Sequence, residues 1–332
     1  MMAEKTPVTI LTGFLGAGKT TLLNAILTGE HGRKFAVIVN EFGQAGIDDK
    51  LLTTQVDEEI FEMNNGCICC TVRGDLIRIL NALMKKKDRF DGIVVETTGL
   101  ADPGPVAQTF FADDDVRAAT ELDSVITVVD AANVRRQLAE SQECKEQIAF
   151  ADTIIVNKTD AVKAAELLEI ERLVKELNPF AMMVRGSRGA LTLGGEPLGI
   201  DKLLERHAFS LEHALNVDPD FIESAAEGHH HHHSDDISSI SMTTDKPIDG
   251  RAFDEWMMDT LAQKGQNILR TKGILNVQGE PCRFVFQAVH MMNEGMFTTP
   301  WKDGEKKVST LVMIGRGLDK AALKEQFLAC TV

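Results

Sequence analysis

The chain has 332 residues, 44% of them hydrophobic, enough for one large core and a smaller second one. Lys and Arg total 35 against 50 Asp and Glu, and the resulting formal charge of −15 repels phosphate backbones and argues against nucleic acid as the main partner. No stretch approaches the roughly 18 consecutive apolar residues of a membrane span, and the N-terminal apolar run lacks the small-residue cleavage site of a secretory signal, so no membrane partner is expected.

Up to about residue 206, short β-branched runs alternate with amphipathic stretches, which predicts an α/β fold with a mostly parallel sheet flanked by helices. The strand candidates are apolar nearly throughout, as expected where both faces of a sheet are covered. The first, over 8–12, runs into Gly13-Phe14-Leu15-Gly16-Ala17-Gly18-Lys19-Thr20, which matches G-x-x-x-x-G-K-[ST] at every fixed position. A helix expected over 19–27 completes the context of a P-loop NTPase. The glycines let backbone N–H groups turn inward around phosphates, Lys19 supplies charge to the β and γ phosphates, and the Thr20 hydroxyl can ligate Mg²⁺. Thr21 is placed to add an α-phosphate contact.

A second strand over 36–40 delivers Glu41 at its end. Further on, Asn64-Asn65-Gly66-Cys67-Ile68-Cys69-Cys70-Thr71 sets three thiols within four positions. Thiolates this close suit a borderline metal such as Zn²⁺, and Glu41 can add an oxygen ligand. A closed structural site needs a fourth protein ligand, and none stands beside the motif, which suits a metal that exchanges. A redox dithiol and a set of buried inert thiols are the competing readings of the same residues. Three of the six cysteines crowding together fits metal or redox chemistry in a reducing cytoplasm better than a disulfide framework.

After a helix expected over 75–84, a strand over 93–96 carries Glu96 to its carboxyl end, where open α/β sheets bind ligands. Glu96 is the candidate acid on the magnesium side, and Gly99 is placed to bring its N–H to the γ-phosphate. No glutamine follows Gly99, and no internal arginine finger is evident, so basal turnover is expected to be slow. Strands over 125–130 and 153–156 bracket a helix over 144–150, and the second leads into Asn157-Lys158-Thr159-Asp160. A carboxylate at Asp160 accepts from the N1–H and exocyclic amine of guanine, a donor pair adenine lacks, so the nucleotide is expected to be GTP. A helix over 164–177 and a strand over 181–184 close the domain.

From about 209 to 236 the chain turns polar and acidic and contains the run His229 to His233, which reads either as a weak metal gatherer or as a solvated loop. Beyond it a strand over 237–242, a helix over 251–264, strands near 268–277, 283–290 and 308–314, and a helix over 319–328 suggest a small α+β domain. The expected division is a P-loop domain over 1–206, a His-containing linker over 207–236 and the C-terminal domain over 237–332. Cys144, Cys282 and Cys330 read as packing residues, and His290 as a satisfied buried histidine.

The combination of GFLGAGKTT, VNEFG, NNGCICC, VVETTGLADP and NKTD resembles the CobW-type GTPases of the SIMIBI class, and the resemblance extends through the C-terminal part at 268–273, 286–290 and 311–316. Residues 96–111 are closest in kind to the zinc-regulated GTPase metalloprotein activators. The resemblance implies zinc carried at Cys67, Cys69 and Cys70, delivery to a client metalloprotein, and release driven by GTP hydrolysis. It also implies that Cys70, Thr71, Val72, Arg73 and Gly74 adjoin the nucleotide and couple the two sites. Related members handle Co²⁺ with the same cysteine motif, so a cobalt chaperone of cobalamin synthesis is the alternative, and a redox-sensing regulatory GTPase is a second. A second copy of the chain is a further candidate partner.

Overall fold

In a computed structural model of the chain, residues 5–29, 32–39, 60–62, 71–85, 90–204, 237–302 and 304–332 are described. They belong to two units, Met1–Glu171 with Met182–Phe209, and Arg172–Ala181 with Ser210–Val332. The expected 207–236 linker with its histidine run lies outside the described residues.

The first unit is built on a nine-stranded sheet in the order β3-β2-β4-β1-β5-β6-β7-β8-β9. Its strands are β1 (Thr6–Gly13), β2 (Phe35–Val39), β3 (Ile60–Glu62), β4 (Gly92–Glu96), β5 (Thr120–Asp130), β6 (Thr153–Asn157), β7 (Met182–Ser187), β8 (Ala190–Leu193) and β9 (Glu196–Pro197). Strands β1 to β7 pair in parallel, and β8 and β9 fold back antiparallel at one edge. The central strands are buried along almost their whole length. Alternate residues therefore face two separate packing layers, which is why the sequence shows apolar runs without polar alternation. One layer gathers Leu11, Val94, Ile126, Val128 and Ile155 from the strands against Leu22, Leu23 and Ile26 of helix α1 (Lys19–Thr28).

Parallel pairing brings the strand ends into line. Leu11 stands opposite Glu96, Gly13 opposite Val128, and Asp130 opposite Asn157, so the P-loop, the acid and the NKTD sequence all leave the same edge of the sheet. Between them run helices α2 (Thr71–Met84), α3 (Gly104–Ala112), α4 (Asp114–Ala119), α5 (Val134–Glu140), α6 (Gln142–Phe150) and α7 (Ala164–Leu177). Helices α4 and α5 are only 6 and 7 residues long, too short to show a repeated apolar stripe. Asp113 caps α4 by accepting from Val116 N at 3.0 Å, and Ser141 caps α6 by accepting from Cys144 N at 3.2 Å.

The second unit is a five-stranded antiparallel sheet ordered β10-β14-β11-β12-β13. Its strands are β10 (Ile237–Thr244), β11 (Ile268–Leu275), β12 (Cys282–Val289), β13 (Met292–Pro300) and β14 (Ser309–Arg316). Helices α8 (Gly250–Lys264) and α9 (Lys320–Ala329) pack one face of it through Phe253, Met257, Leu261, Leu323 and Phe327. Asp249 and Asp319 cap these helices, and Phe253 meets Phe286 edge-on at 5.4 Å.

Strand β13 escapes the sequence pattern because it is an edge whose residues, Gly295 and Pro300 among them, are largely exposed. His290 is not the buried histidine expected from sequence. It sits in the two-residue turn between β12 and β13 with φ 52°, half-buried, its Nδ1 3.2 Å from Gly265 O. Cys144 and Cys330 are buried as expected, whereas Cys282 at the start of β12 is half-buried.

Candidate nucleotide site

The P-loop keeps its shape by close backbone approach. Gly13 has φ 140°, and a Cβ there would stand 2.3 Å from Val128 O, so no side chain fits where β1 leaves the sheet beside β5. Ala17 N donates to Phe14 O at 3.1 Å, and α1 starts at Lys19 without a side-chain cap. Its first N–H groups are thus available to an anion rather than consumed by a capping residue. Lys19 Nζ folds over the loop, donating to Gly13 O at 2.8 Å and to Phe14 O at 3.4 Å. Burial lowers the Lys19 ammonium from its ordinary range, while the charge of Glu96 acts the other way. Thr20 is half-buried at the helix start and Thr21 is exposed.

Glu96 ends β4 and is buried. The turn after it is tied to β1 twice, by Thr97 N to Leu11 O at 2.9 Å and by the Thr97 hydroxyl to the Thr12 hydroxyl at 2.8 Å. Gly99 then passes so close to the P-loop that a Cβ would fall 2.8 Å from Leu15 N. The contact requires glycine and places the Gly99 backbone beside the loop.

The NKTD sequence is bonded to the P-loop from the other side. Asn157 Nδ2 donates to Ala17 O at 2.9 Å, and Lys158 Nζ donates to Gly16 O at 2.7 Å. Lys158 takes φ 60°, and its ammonium also meets Asp130 Oδ2 at 2.8 Å. Burial alone would raise the Asp130 carboxyl, but hydrogen bonds from Lys158 and Asn133 outweigh it and hold the group below the usual carboxylate range. Asp160 accepts from Ser187 Oγ at 3.0 Å and from Arg188 Nε at 2.9 Å. Those bonds, the Arg188 one first, hold its carboxyl low as well.

Sequence reasoning singled out neither Asp130, Ser187 nor Arg188. Asp130 had a signal, an acid ending an apolar strand next to the NKTD strand. Ser187 and Arg188 belong to no motif that marks them in the sequence. Of the expected residues, the structure brings together Gly13 to Thr20, Glu96, Gly99 and Asn157 to Asp160. Glu41, Cys67, Cys69 and Cys70 lie outside the described residues. Thr71, Val72, Arg73 and Gly74 fall in the first turn of α2, with Gly74 exposed. Among the described residues no group of three or more His, Cys, Asp or Glu is arranged to hold a metal, and no helix is long and apolar enough to cross a membrane.

A largely parallel sheet whose central strand opens into G-x-x-x-x-G-K-T, with an acid and an N-K-x-D sequence at the neighbouring strand ends, defines a P-loop GTPase fold. Residues 7–185 match the CobW/HypB/UreG nucleotide-binding domain, and residues 237–331 match the cobalamin synthesis protein cobW C-terminal domain. The zinc chaperone YjiA of Escherichia coli is 38% identical over 96% of this chain and 97% of its own. The zinc-regulated GTPase metalloprotein activator 1 of Schizosaccharomyces pombe is 34% identical over 96% of this chain and 84% of its own. The crystal structure of the Zn(II)-bound E. coli YjiA GTPase superposes with a TM-score of 0.73 at 30% identity, covering 99% of this chain and 100% of that one. The chain therefore belongs to the CobW/HypB/UreG family of P-loop GTPases and has the CobW C-terminal domain.

Proposed function

We propose that this protein is a GTP-dependent zinc chaperone that loads a client metalloprotein. The observation that supports this most is its similarity, over nearly its whole length, to relatives named as zinc chaperones and zinc-regulated activators. GTP binds along Gly13 to Thr21, with guanine read by Asp160 and the phosphates neutralised by Lys19. Thr20 and Glu96 are the oxygen donors that would hold Mg²⁺, which would supply neutralisation of phosphate charge there. The buried Glu96 beside Lys19 fits that assignment, since a cation there compensates a carboxylate removed from water. Gly99, held against the P-loop, meets the γ-phosphate, and its contact is lost on hydrolysis.

Zinc is the cargo, held by Cys67, Cys69 and Cys70 with Glu41, and the segment from Cys70 to Gly74 links it to the nucleotide. Hydrolysis removes the γ-phosphate contacts that hold the segments around Glu41 and over 66–74, and so lowers zinc affinity. Relatives from Sinorhizobium and Pseudomonas aeruginosa that bear the CobW name are themselves called zinc chaperones, which favours zinc over cobalt here. The same chemistry belongs in the reducing cytoplasm. The proposed domain limits are 1–206, 207–236 and 237–332.

The test is zinc affinity, measured by chelator competition with a non-hydrolysable GTP analogue and with GDP. Tighter binding with the analogue is expected, and equal affinities would sink the coupling. Stoichiometry must be counted too. A solved YjiA variant with a glutamate and two cysteines changed to alanine is still Zn(II)-bound, so retention of some zinc decides nothing. Cys69→Ala is expected to lose one nucleotide-sensitive zinc per chain. If the nucleotide-sensitive zinc survives, the cysteine assignment is wrong.

A further inference from the structure

The turn after the acid strand carries Gly99 and is held from both sides. Thr97 ties its start to β1, and Ala101 N closes it on Thr98 O at 3.1 Å. Its outer carbonyls are met by a residue from a distant helix. Gln147 of α6 donates from Nε2 to Gly99 O at 3.2 Å and to Ala101 O at 3.0 Å. The side chain is 1% exposed, and its helix is fixed in turn, since Thr127 Oγ1 on β5 donates to Gln147 O at 2.7 Å.

Two carbonyls facing one amide decide which end is nitrogen, because the flipped amide would oppose oxygen to oxygen. The Oε1 atom is buried and has no hydrogen-bond partner among the described residues. Gln147 is more than filler, because leucine here would leave two carbonyls without the donor they now share. Its donor half is what the fold uses. The Gly99 N–H lies in the preceding peptide plane, whose Thr98 carbonyl accepts from Ala101 N, and Gln147 fixes the next plane through the Gly99 carbonyl, so the turn is held on both sides of Gly99. That keeps the turn pressed on Leu15, where a Cβ on Gly99 would already collide.

We propose that Gln147 is a positioning residue for γ-phosphate recognition and GTP hydrolysis, acting through Gly99 without touching the nucleotide. The inference rests on the proposed reading of Gly99 as the γ-phosphate contact. GDP lacks that phosphate, so the residue matters for GTP and not for GDP. Replacing it leaves GDP affinity intact while weakening the preference for the triphosphate, a split that a general loss of stability does not produce.

The experiment compares wild type, Gln147→Leu and Gln147→Glu for kcat and for affinity to GDP and to a non-hydrolysable GTP analogue. Gln147→Leu is expected to lower kcat about tenfold to a hundredfold, in the range that misplacing a reacting group by about 1 Å costs. It should also reduce the analogue-to-GDP affinity ratio, with GDP affinity within about twofold of wild type. Gln147→Glu supplies an O–H donor only when protonated, and burial beside two carbonyls raises its pKa. Its kcat relative to wild type should therefore rise as pH falls from about 8 to about 6, a profile readable even where Gln147→Leu fails to fold. An unchanged ratio and kcat in Gln147→Leu, or a flat relative profile for Gln147→Glu, overturns the assignment and leaves the Gly99 reading standing. A wild-type protein that binds both nucleotides alike and does not hydrolyse GTP overturns the Gly99 reading and this one with it.

Discussion

Asp160 is the residue proposed to read guanine, and its two oxygens already accept from Ser187 and Arg188. The Arg188 guanidinium offers the kind of donor that the guanine edge offers, so base and side chain compete for one carboxylate. Arg188 is 85% exposed on its side chain, so the pair is screened and its hold is modest. Arg188→Ala should then speed association of a fluorescent guanine nucleotide by about two- to fivefold at about 0.2 M salt, where the long-range part of the lost charge is damped. Stopped-flow measurement separates the outcomes. A faster dissociation with unchanged association would mean that Arg188 contacts the bound base rather than competing with it.

At the level of elements, the site is three strand ends joined by side chains. Asp130 at the end of β5 grips Lys158 beyond β6, and Lys158 grips Gly16 of the P-loop. The Asp130 side chain is 3% exposed and that of Lys158 42%, so Asp130→Asn should cost about 1–2 kcal/mol, near the lower end for a hydrogen bond to a charged group. The pH dependence has a definite sign. A carboxyl held below its ordinary value of about 3.9 stabilises the fold above that pH and loses the contribution as pH falls through the lowered folded value. Urea midpoints of wild type and Asp130→Asn should therefore differ at neutral pH and converge below about pH 4. A constant gap down to strong acid would show that the cost is one of packing.

These joints also mark how far the sequence could be read. The P-loop, Glu96 and NKTD were legible because each needs a fixed residue order after an apolar strand. Asp130, Gln147 and Arg188 were not, since each acts on residues 28 to 48 positions away, and the parallel pairing of β1, β4, β5, β6 and β7 is what makes them neighbours. The same limit hid β13, whose order comes from pairing with β12 rather than from its own composition. Phe297 meets Phe284 across that pair with ring centroids 5.0 Å apart and planes tilted by 58°, a contact no local pattern announces.

For the molecule as a whole, the charge of −15 sets opposite conditions for its two proposed ligands. GTP is an anion approaching an anionic protein, and the cations near its site are mostly spoken for. Lys158 is paired with Asp130, Arg188 with Asp160, and Lys19 lies near Glu96. Among the described residues these pairings leave little free positive charge to steer the nucleotide, so long-range repulsion should govern its approach. Screening shortens from about 20–30 Å near 0.01–0.02 M salt to about 8 Å near 0.15 M. Nucleotide association should then quicken by about two- to threefold over that range, while zinc association slows, because the same field attracts a divalent cation. Both rates can be followed by stopped flow in the same buffers. Nucleotide association that slows with salt would show that the local charges of Lys19, Lys158 and Arg188 outweigh the surplus of acids, and that the pairings drawn here leave more positive field at the site than their geometry suggests.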